Sequence, residues 1–143
     1  MSVMTKALGI DFGERRIGLA VSDPEGRYAV PLTVIERQTD RRAAYEIAAI
    51  ARREEAERLV LGDPLKPDGN ATENAERVRR FGERLAKASG LPVERIDETL
   101  TTVEAAERAG IDPSRPGKVP IDALAAQVIL QRALDQTPNE ATE

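Results

Sequence analysis

The sequence predicts an α/β domain built on a mixed five-stranded sheet with helices on both faces, in the order β-β-β-α-β-α-β-α-α. Three observations predict it. Three apolar stretches follow one another near the start of the chain with only turn residues between them, so they pair as antiparallel neighbours. Two further apolar stretches each follow a helix-length segment, so they return as crossovers parallel to the first strand. The longer segments repeat their apolar residues at helical spacing.

The first stretch, Ala7 to Phe12, is apolar except for Asp11. Gly13 ends it, Glu14 to Arg16 make a polar turn, and Ile17 to Val21 is a second apolar run, so the two read as a β-hairpin. Pro24 to Gly26 is a turn, and Ala29 to Glu36 has strand character with Pro31 near its start, which suits an edge strand. Such an edge leaves both a monomer and a homodimer open. Asp40 opens a helix to about Glu55, with Ala43, Ala44, Ile47, Ile50 and Ala51 on one side. Arg58 to Gly62 is a short buried strand, followed by a Pro- and Gly-rich loop from Asp63 to Gly69. Asn70 with Glu73 resembles a capping box, opening a long helix through Ala88 that Gly90 stops. Val93 to Asp97 is the last strand, and Thr101 with Glu104 caps a short helix ending at Gly110. Ile111 to Val119 reads as a loop. Pro120 suits the first turn of a final helix reaching about Gln136. One domain over residues 5–137 with a flexible tail over 138–143 is the expected organisation.

Composition excludes several chemistries. The chain has 143 residues, enough for one domain with a real core. It has no cysteine and no histidine, so disulfides, thiolate nucleophiles, Ser-His-Asp triads and His or Cys zinc sites are absent. Catalysis must then rest on carboxylates, Lys, Arg, Tyr, hydroxyls or backbone, and a metal held by oxygen ligands would be Mg²⁺ or Mn²⁺. No apolar stretch is long enough for a membrane span and the start carries no signal-peptide pattern, so a cytoplasmic protein without membrane contact is expected. The net charge of −4 lacks the overall basic footprint of a nucleic-acid binder, so any such footprint must be local.

In a sheet of this kind ligands sit beyond the carboxyl ends of the parallel strands. Those ends carry Asp11, Asp63 and the Asp97–Glu98 pair. A carboxylate in an apolar run loses hydration unless it is paired or holds a metal, so Asp11 is either a turn-capping strand end or a metal- or phosphate-facing group. Asp122 lies in the first turn of the last helix, where the helix dipole alone favours a negative charge, yet it continues the apolar face of Ala126, Ile129 and Ala133. Its rival reading places it beside Asp11 around a metal. Clustered carboxylates repel one another, and divalent cations reverse that cost; two such ions ~3.5–4 Å apart activate water and stabilise the leaving oxygen of a phosphodiester.

Four segments carry a family resemblance. The stretch Gly9 to Asp23 (GIDFGERRIGLAVSD) resembles the opening motif of the YqgF-type Holliday-junction resolvases, also described as pre-16S rRNA nucleases, with an RNase H-like fold. Leu59 to Leu65 with Asp68-Gly69, Asp97 to Thr102, and Ile121 to Ala126 followed by Ile129 to Gln131 resemble the later blocks, in the family's order. The resemblance covers about Lys6 to Leu134. It implies Asp11, Glu98 and Asp122 as acidic catalytic and metal-binding residues, with Mg²⁺ or Mn²⁺ dependence. Thr99 stands where the family usually has Arg, Asp63 where it usually has an apolar residue, and Lys66-Pro67 in place of a common Asn-Met pair; these departures touch substrate contacts more than the acidic core. The strand ending at Gly62 should lie beside the one ending at Asp11, so topology lets Asp63 compete with Glu98 as a ligand. The resemblance favours Glu98 and leaves Asp63 as a turn residue before Pro64, with Asp97 in a supporting or turn role.

Arg15 and Arg16 in the hairpin turn are candidate phosphate contacts, or simply surface arginines. Arg115 and Lys118, in the loop leading to Asp122, suit a mobile phosphate clamp. Arg77, Arg79, Arg80 and Arg84 interleave with Glu73, Glu76 and Glu83 as a solvated helix face. The expectation is a metal-dependent endonuclease acting on structured nucleic acid: pre-16S rRNA first, four-way DNA junctions second. A non-catalytic nucleic-acid-binding module on the same fold, and an ATP-binding phosphotransferase sharing the glycine-flanked hairpin, are the rival classes. The phosphotransferase needs a second domain that a chain of this length does not supply.

Overall fold

The structure is a computed structural model and describes residues 5–64, 73–98 and 120–136. Within them the elements run β1 (Ala7–Phe12), β2 (Arg16–Ser22), β3 (Ala29–Glu36), α1 (Asp40–Arg53), β4 (Arg58–Pro64), α2 (Glu73–Ser89), β5 (Val93–Glu98) and α3 (Ile121–Gln136). The five strands form one sheet in the order β3-β2-β1-β4-β5. β1 and β2 are antiparallel, as are β2 and β3, while β4 runs parallel to both β1 and β5. The mixed sheet, the two parallel crossovers and β3 at the edge follow the sequence expectation. The helix expected over Thr101–Gly110, the Ile111–Val119 loop and the tail over 138–143 lie outside the described residues.

Side-chain alternation along the strands divides the interior in two. Leu8 and Ile10 of β1, Ile17, Leu19 and Val21 of β2, and Leu59 and Leu61 of β4 pack on α1 and α2, whose Ala43, Ala44, Ile47, Ala51, Val78, Phe81 and Leu85 close that layer. The other face is made of smaller residues. Ala7, Ala20, Ala29, Val60 and Ile96 meet Ala126, Ile129, Leu130, Ala133 and Leu134 of α3. Each large side chain buried on the first face contributes about 1.5–3 kcal/mol. On the second face the small residues of β1 and β2 let α3 approach the strand backbone closely at Gly9 and Gly18.

Local chemistry sets the ends of the elements. The Thr39 side chain accepts a hydrogen bond from the Arg42 amide at 3.1 Å and caps α1, with Asp40 in the first turn. The Gly90 amide donates to the Ala86 carbonyl at 2.9 Å as α2 ends. α3 is also tied to the edge strand by two glutamines. Gln131 Oε1 accepts from the Ala29 amide at 2.9 Å and Gln127 Nε2 donates to the Ala29 carbonyl at 3.0 Å. Together with Pro31, which has no amide hydrogen, they occupy backbone groups near the start of β3.

β4 runs through Asp63 to Pro64, so Asp63 belongs to a strand and not to a turn. Pro64 ends the strand without breaking the ladder, because β4 still pairs with β5 at Asp63–Asp97 and Pro64–Glu98.

Candidate active site

The site is built at one end of the face that packs on α3. Asp11 lies in β1 opposite Gly18 of β2. In an antiparallel pair, residues directly opposite share a face. Gly9, two residues before Asp11, faces α3: a Cβ there would come within 2.6 Å of Leu130 Cβ and 2.9 Å of the Ala126 carbonyl oxygen. Gly18 faces the start of the same helix, and a Cβ on it would overlap the Asp122 carbonyl group. The absent side chain at 18 lets the first turn of α3 rest on the β2 backbone. Asp11 and Asp122 therefore converge on the same end of the same face. Their juxtaposition is set by a glycine belonging to neither of their elements.

Arg16, the first residue of β2, has the same strand phase as Gly18. Its Nε lies 3.5 Å from Asp122 Oδ2, with the Arg16 side chain 67% exposed and that of Asp122 30% exposed. An ion pair this open to water contributes little stability. Its significance is positional: it sets a guanidinium beside a carboxylate at the open end of the sheet. Arg15, one residue earlier, is exposed.

Asp63 takes the other side. It has the strand phase of Leu61, which packs on α1 and α2, and lies near Arg95, whose Nη1 is 3.8 Å from Asp63 Oδ2. Continuing the β1–β4 register, in which Ile10 pairs with Leu61, aligns Gly62 with Asp11 and Asp63 with Phe12. The adjacency of β4 and β1 expected from topology is real, but it brings Asp63 to the face away from Asp122. β5 ends at positions 97 and 98, whose backbones pair with Asp63 and Pro64 of β4. The Glu98 side chain, Arg115 and Lys118 lie outside the described residues. Among the described residues no group of three or more acidic side chains is arranged to hold a metal ion. Asp11 and Asp122 are the described part of any such set, and all-oxygen donors of this kind fit a hard divalent cation.

The α2 arginines are placed largely as expected. Arg79 pairs with Glu76 at 3.0 Å and with Glu83 at 2.9 Å on the exposed side of the helix. The hydrogen bond from Arg79 holds the Glu76 carboxyl below its usual range, and Glu76 in turn raises Arg79. Arg77 departs from that pattern: its guanidinium lies over the Phe12 ring at 5.9 Å from the centroid. Sequence reasoning missed the part played by Gly9 and Gly18. Glycines inside apolar strands are a signal for close backbone approach.

A family model described as RuvX, Holliday junction resolvase, matches residues 5–136. The chain belongs to this family. A protein from Syntrophus aciditrophicus named "Putative pre-16S rRNA nuclease" is 44% identical over 138 residues, covering 94% of this chain and 91% of the relative. One of the same name from Crocosphaera subtropica is 42% identical, covering 91% and 92%. Among solved structures, Thermus thermophilus RuvC in complex with a Holliday junction substrate superposes with a TM-score of 0.58 at 18% identity, over 91% of this chain and 93% of that one. The Fowlpox virus resolvase in complex with Holliday junction DNA gives a TM-score of 0.56 at 9% identity, over 91% and 97%. At these identities the structural likeness is one of fold, and it matches the RNase H-like expectation. No helix among the described residues is long and apolar enough to cross a membrane.

Proposed function

We propose that this RuvX-family chain is a metal-dependent endonuclease that hydrolyses phosphodiester bonds in structured nucleic acid, and that its substrate is the 5′ end of pre-16S rRNA. The observation that carries the reading is the convergence of Asp11 and Asp122 on one end of one sheet face, across Gly18. In this reading Asp11, Glu98 and Asp122 would hold Mg²⁺ or Mn²⁺, which would supply Lewis acidity to water and charge neutralisation at the phosphate. Arg16, already beside Asp122, and Arg15 at the exposed turn receive the phosphate groups flanking the scissile bond. Arg115 and Lys118 add cations from the segment that leads into Asp122. With no histidine in the chain, protons move through water and carboxylates. The working place of such an enzyme is the cytoplasm, and its partner is RNA or branched DNA.

A four-way DNA junction is the second substrate, favoured by the description of the matching family. The test is cleavage of pre-16S rRNA and of four-way DNA junctions side by side, with Mn²⁺ and with chelator. The expected result is Mn²⁺-dependent cleavage of the RNA, lost in Asp11→Asn, whose fold persists. Junction cleavage alone would move the substrate to DNA. Binding without cleavage of either would favour the non-catalytic module, and full activity in Asp11→Asn would remove the carboxylate mechanism.

A further inference from the structure

The turn between β1 and β2 carries Arg15 and Arg16, and one residue outside it contacts it from two sides. Gly13 donates its amide to the Arg16 carbonyl at 3.1 Å, closing the turn. The carbonyls of Glu14 and Arg15 are both taken by Arg37, the residue after β3. Arg37 Nε donates to the Glu14 carbonyl at 2.8 Å, and the Arg37 amide donates to the Arg15 carbonyl at 2.8 Å. The same guanidinium donates from Nη1 to Asp40 Oδ1 at 2.6 Å, at the start of α1. It also lies over the ring of Phe12, 5.5 Å from the centroid. Phe12 follows Asp11 in β1 and stacks on Phe81 of α2 with ring centroids 4.2 Å apart.

The Arg37 side chain is only 18% exposed, unlike Arg16 at 67%. A charge taken that far out of water is tolerated because a carbonyl, a carboxylate and an aromatic face receive it together. Only the planar fork of arginine meets these partners at once; the single ammonium of lysine cannot reach them in the same geometry. With its guanidinium committed to these contacts, Arg37 is unlike the exposed Arg15 and Arg16. Its position suits holding the backbone from which those two project.

We propose that Arg37 is a positioning residue for the candidate active site: it fixes the Gly13–Arg16 turn and so sets where Arg15 and Arg16 meet the substrate's phosphates. The proposal rests on the reading of Arg15 and Arg16 as phosphate contacts, and the test separates the two. Arg37→Gln, Arg37→Lys, the double variant Arg15→Ala/Arg16→Ala and the triple combination with Arg37→Gln are made in the full chain. Amide hydrogen exchange is followed in the free protein, and nucleic-acid binding as a function of salt.

In Arg37→Gln, the Gly13 and residue-37 amides should exchange at least ~10-fold faster, while amides in the centre of β1 and β4 keep their protection. Arg37→Lys should restore only part of that protection. Substrate affinity in Arg37→Gln should fall ~10-fold, with a shallower dependence on salt. The fall should not add to that of the double variant, since the two act on the same contacts. Mn²⁺ affinity, measured by calorimetry without nucleic acid, should be unchanged. Unaltered exchange at the turn overturns the proposal. So does faster exchange with unaltered affinity and salt slope, or affinity losses that simply add. If the double variant itself binds as tightly as the parent, the phosphate reading of Arg15 and Arg16 fails and Arg37 loses its proposed role in binding. The exchange data then show separately whether Arg37 holds the turn.

Discussion

The two faces of the sheet are built on different principles. The face under α1 and α2 is filled by large aliphatic side chains, with Leu8, Ile10, Ile17, Leu19, Leu59 and Leu61 fully buried. Under α3, β1 and β2 present Ala7, Gly9, Gly18 and Ala20, small residues that let the helix approach the strand backbone. The first arrangement maximises apolar burial. The second gives up burial so that the start of a helix can rest on a strand backbone and bring Asp122 to the row of Asp11. One face carries most of the large fully buried strand side chains, and the other is where the two carboxylates come together.

That division can be broken most severely on the large-residue face. Leu19 is fully buried there, and Leu19→Ala should cost ~2–5 kcal/mol of stability. Its cleavage rate, measured well below the unfolding midpoint, should stay within about twofold of the parent, because Leu19 packs on the side of α1 and α2, away from α3. Urea unfolding and single-turnover rates on the same sample check both halves. A folded but inactive Leu19→Ala would show that the faces are coupled.

Next in size is the contrast between Glu98 and Asp63. Glu98→Gln should slow cleavage at least ~100-fold, about 2.7 kcal/mol in the barrier. Asp63→Asn, on the other face beside Arg95, should change the rate only a few-fold. Parallel rate measurements settle it, and the reverse order would make Asp63 the ligand after all.

Gly18→Ala sharpens the comparison further, since the added methyl meets backbone atoms of Asp122 that cannot rotate away. It should cost about 1–3 kcal/mol. It should also lower the rate about tenfold by displacing Asp122, a small shift for a site that depends on placement. Gly9→Ala strikes α3 further along, at Ala126 and Leu130, and should cost stability with a smaller loss of rate. Equal rates in the two variants would mean that Asp122 does not need its position.

The smallest effect lies at the far end of the sheet. The Tyr28 backbone amide, helped by that of Arg27, holds the Asp23 carboxyl below its usual range against the opposing effect of burial. A carboxylate lowered in the folded state contributes stability above its unfolded pKa of about 3.9 and loses it as pH falls through the lower folded value. Asp23→Asn should therefore flatten the acid limb of the stability curve below about pH 4 and leave cleavage at neutral pH unaltered. A change in rate would show that the two ends of the sheet communicate.

Much of this architecture follows from local pattern. Apolar periodicity separates the strands from the helices, and tight turns against helix-length connections decide which strands pair antiparallel and which parallel. The absence of His and Cys narrows the chemistry to carboxylates and oxygen-bound metals, and the exposed arginines of α2 show their i, i+3 and i, i+4 partners directly in the sequence. Asp11 and Asp122 stand out for the same reason, as charges interrupting apolar patterns.

The side of the sheet that each carboxylate takes was decided only in three dimensions. Leu59, Val60 and Leu61 are all apolar, so the run that leads to Asp63 does not label its faces, and a single-residue change of register would have moved Asp63 into the row of Asp11. Gly18 beneath Asp122 and the two carbonyls held by Arg37 are likewise contacts between segments far apart in the chain. A sequence declares which residues prefer burial or a turn, because those preferences are properties of single side chains and their near neighbours. Register and close approach are properties of pairs, and they appear only when the whole sheet and the helix upon it are packed together.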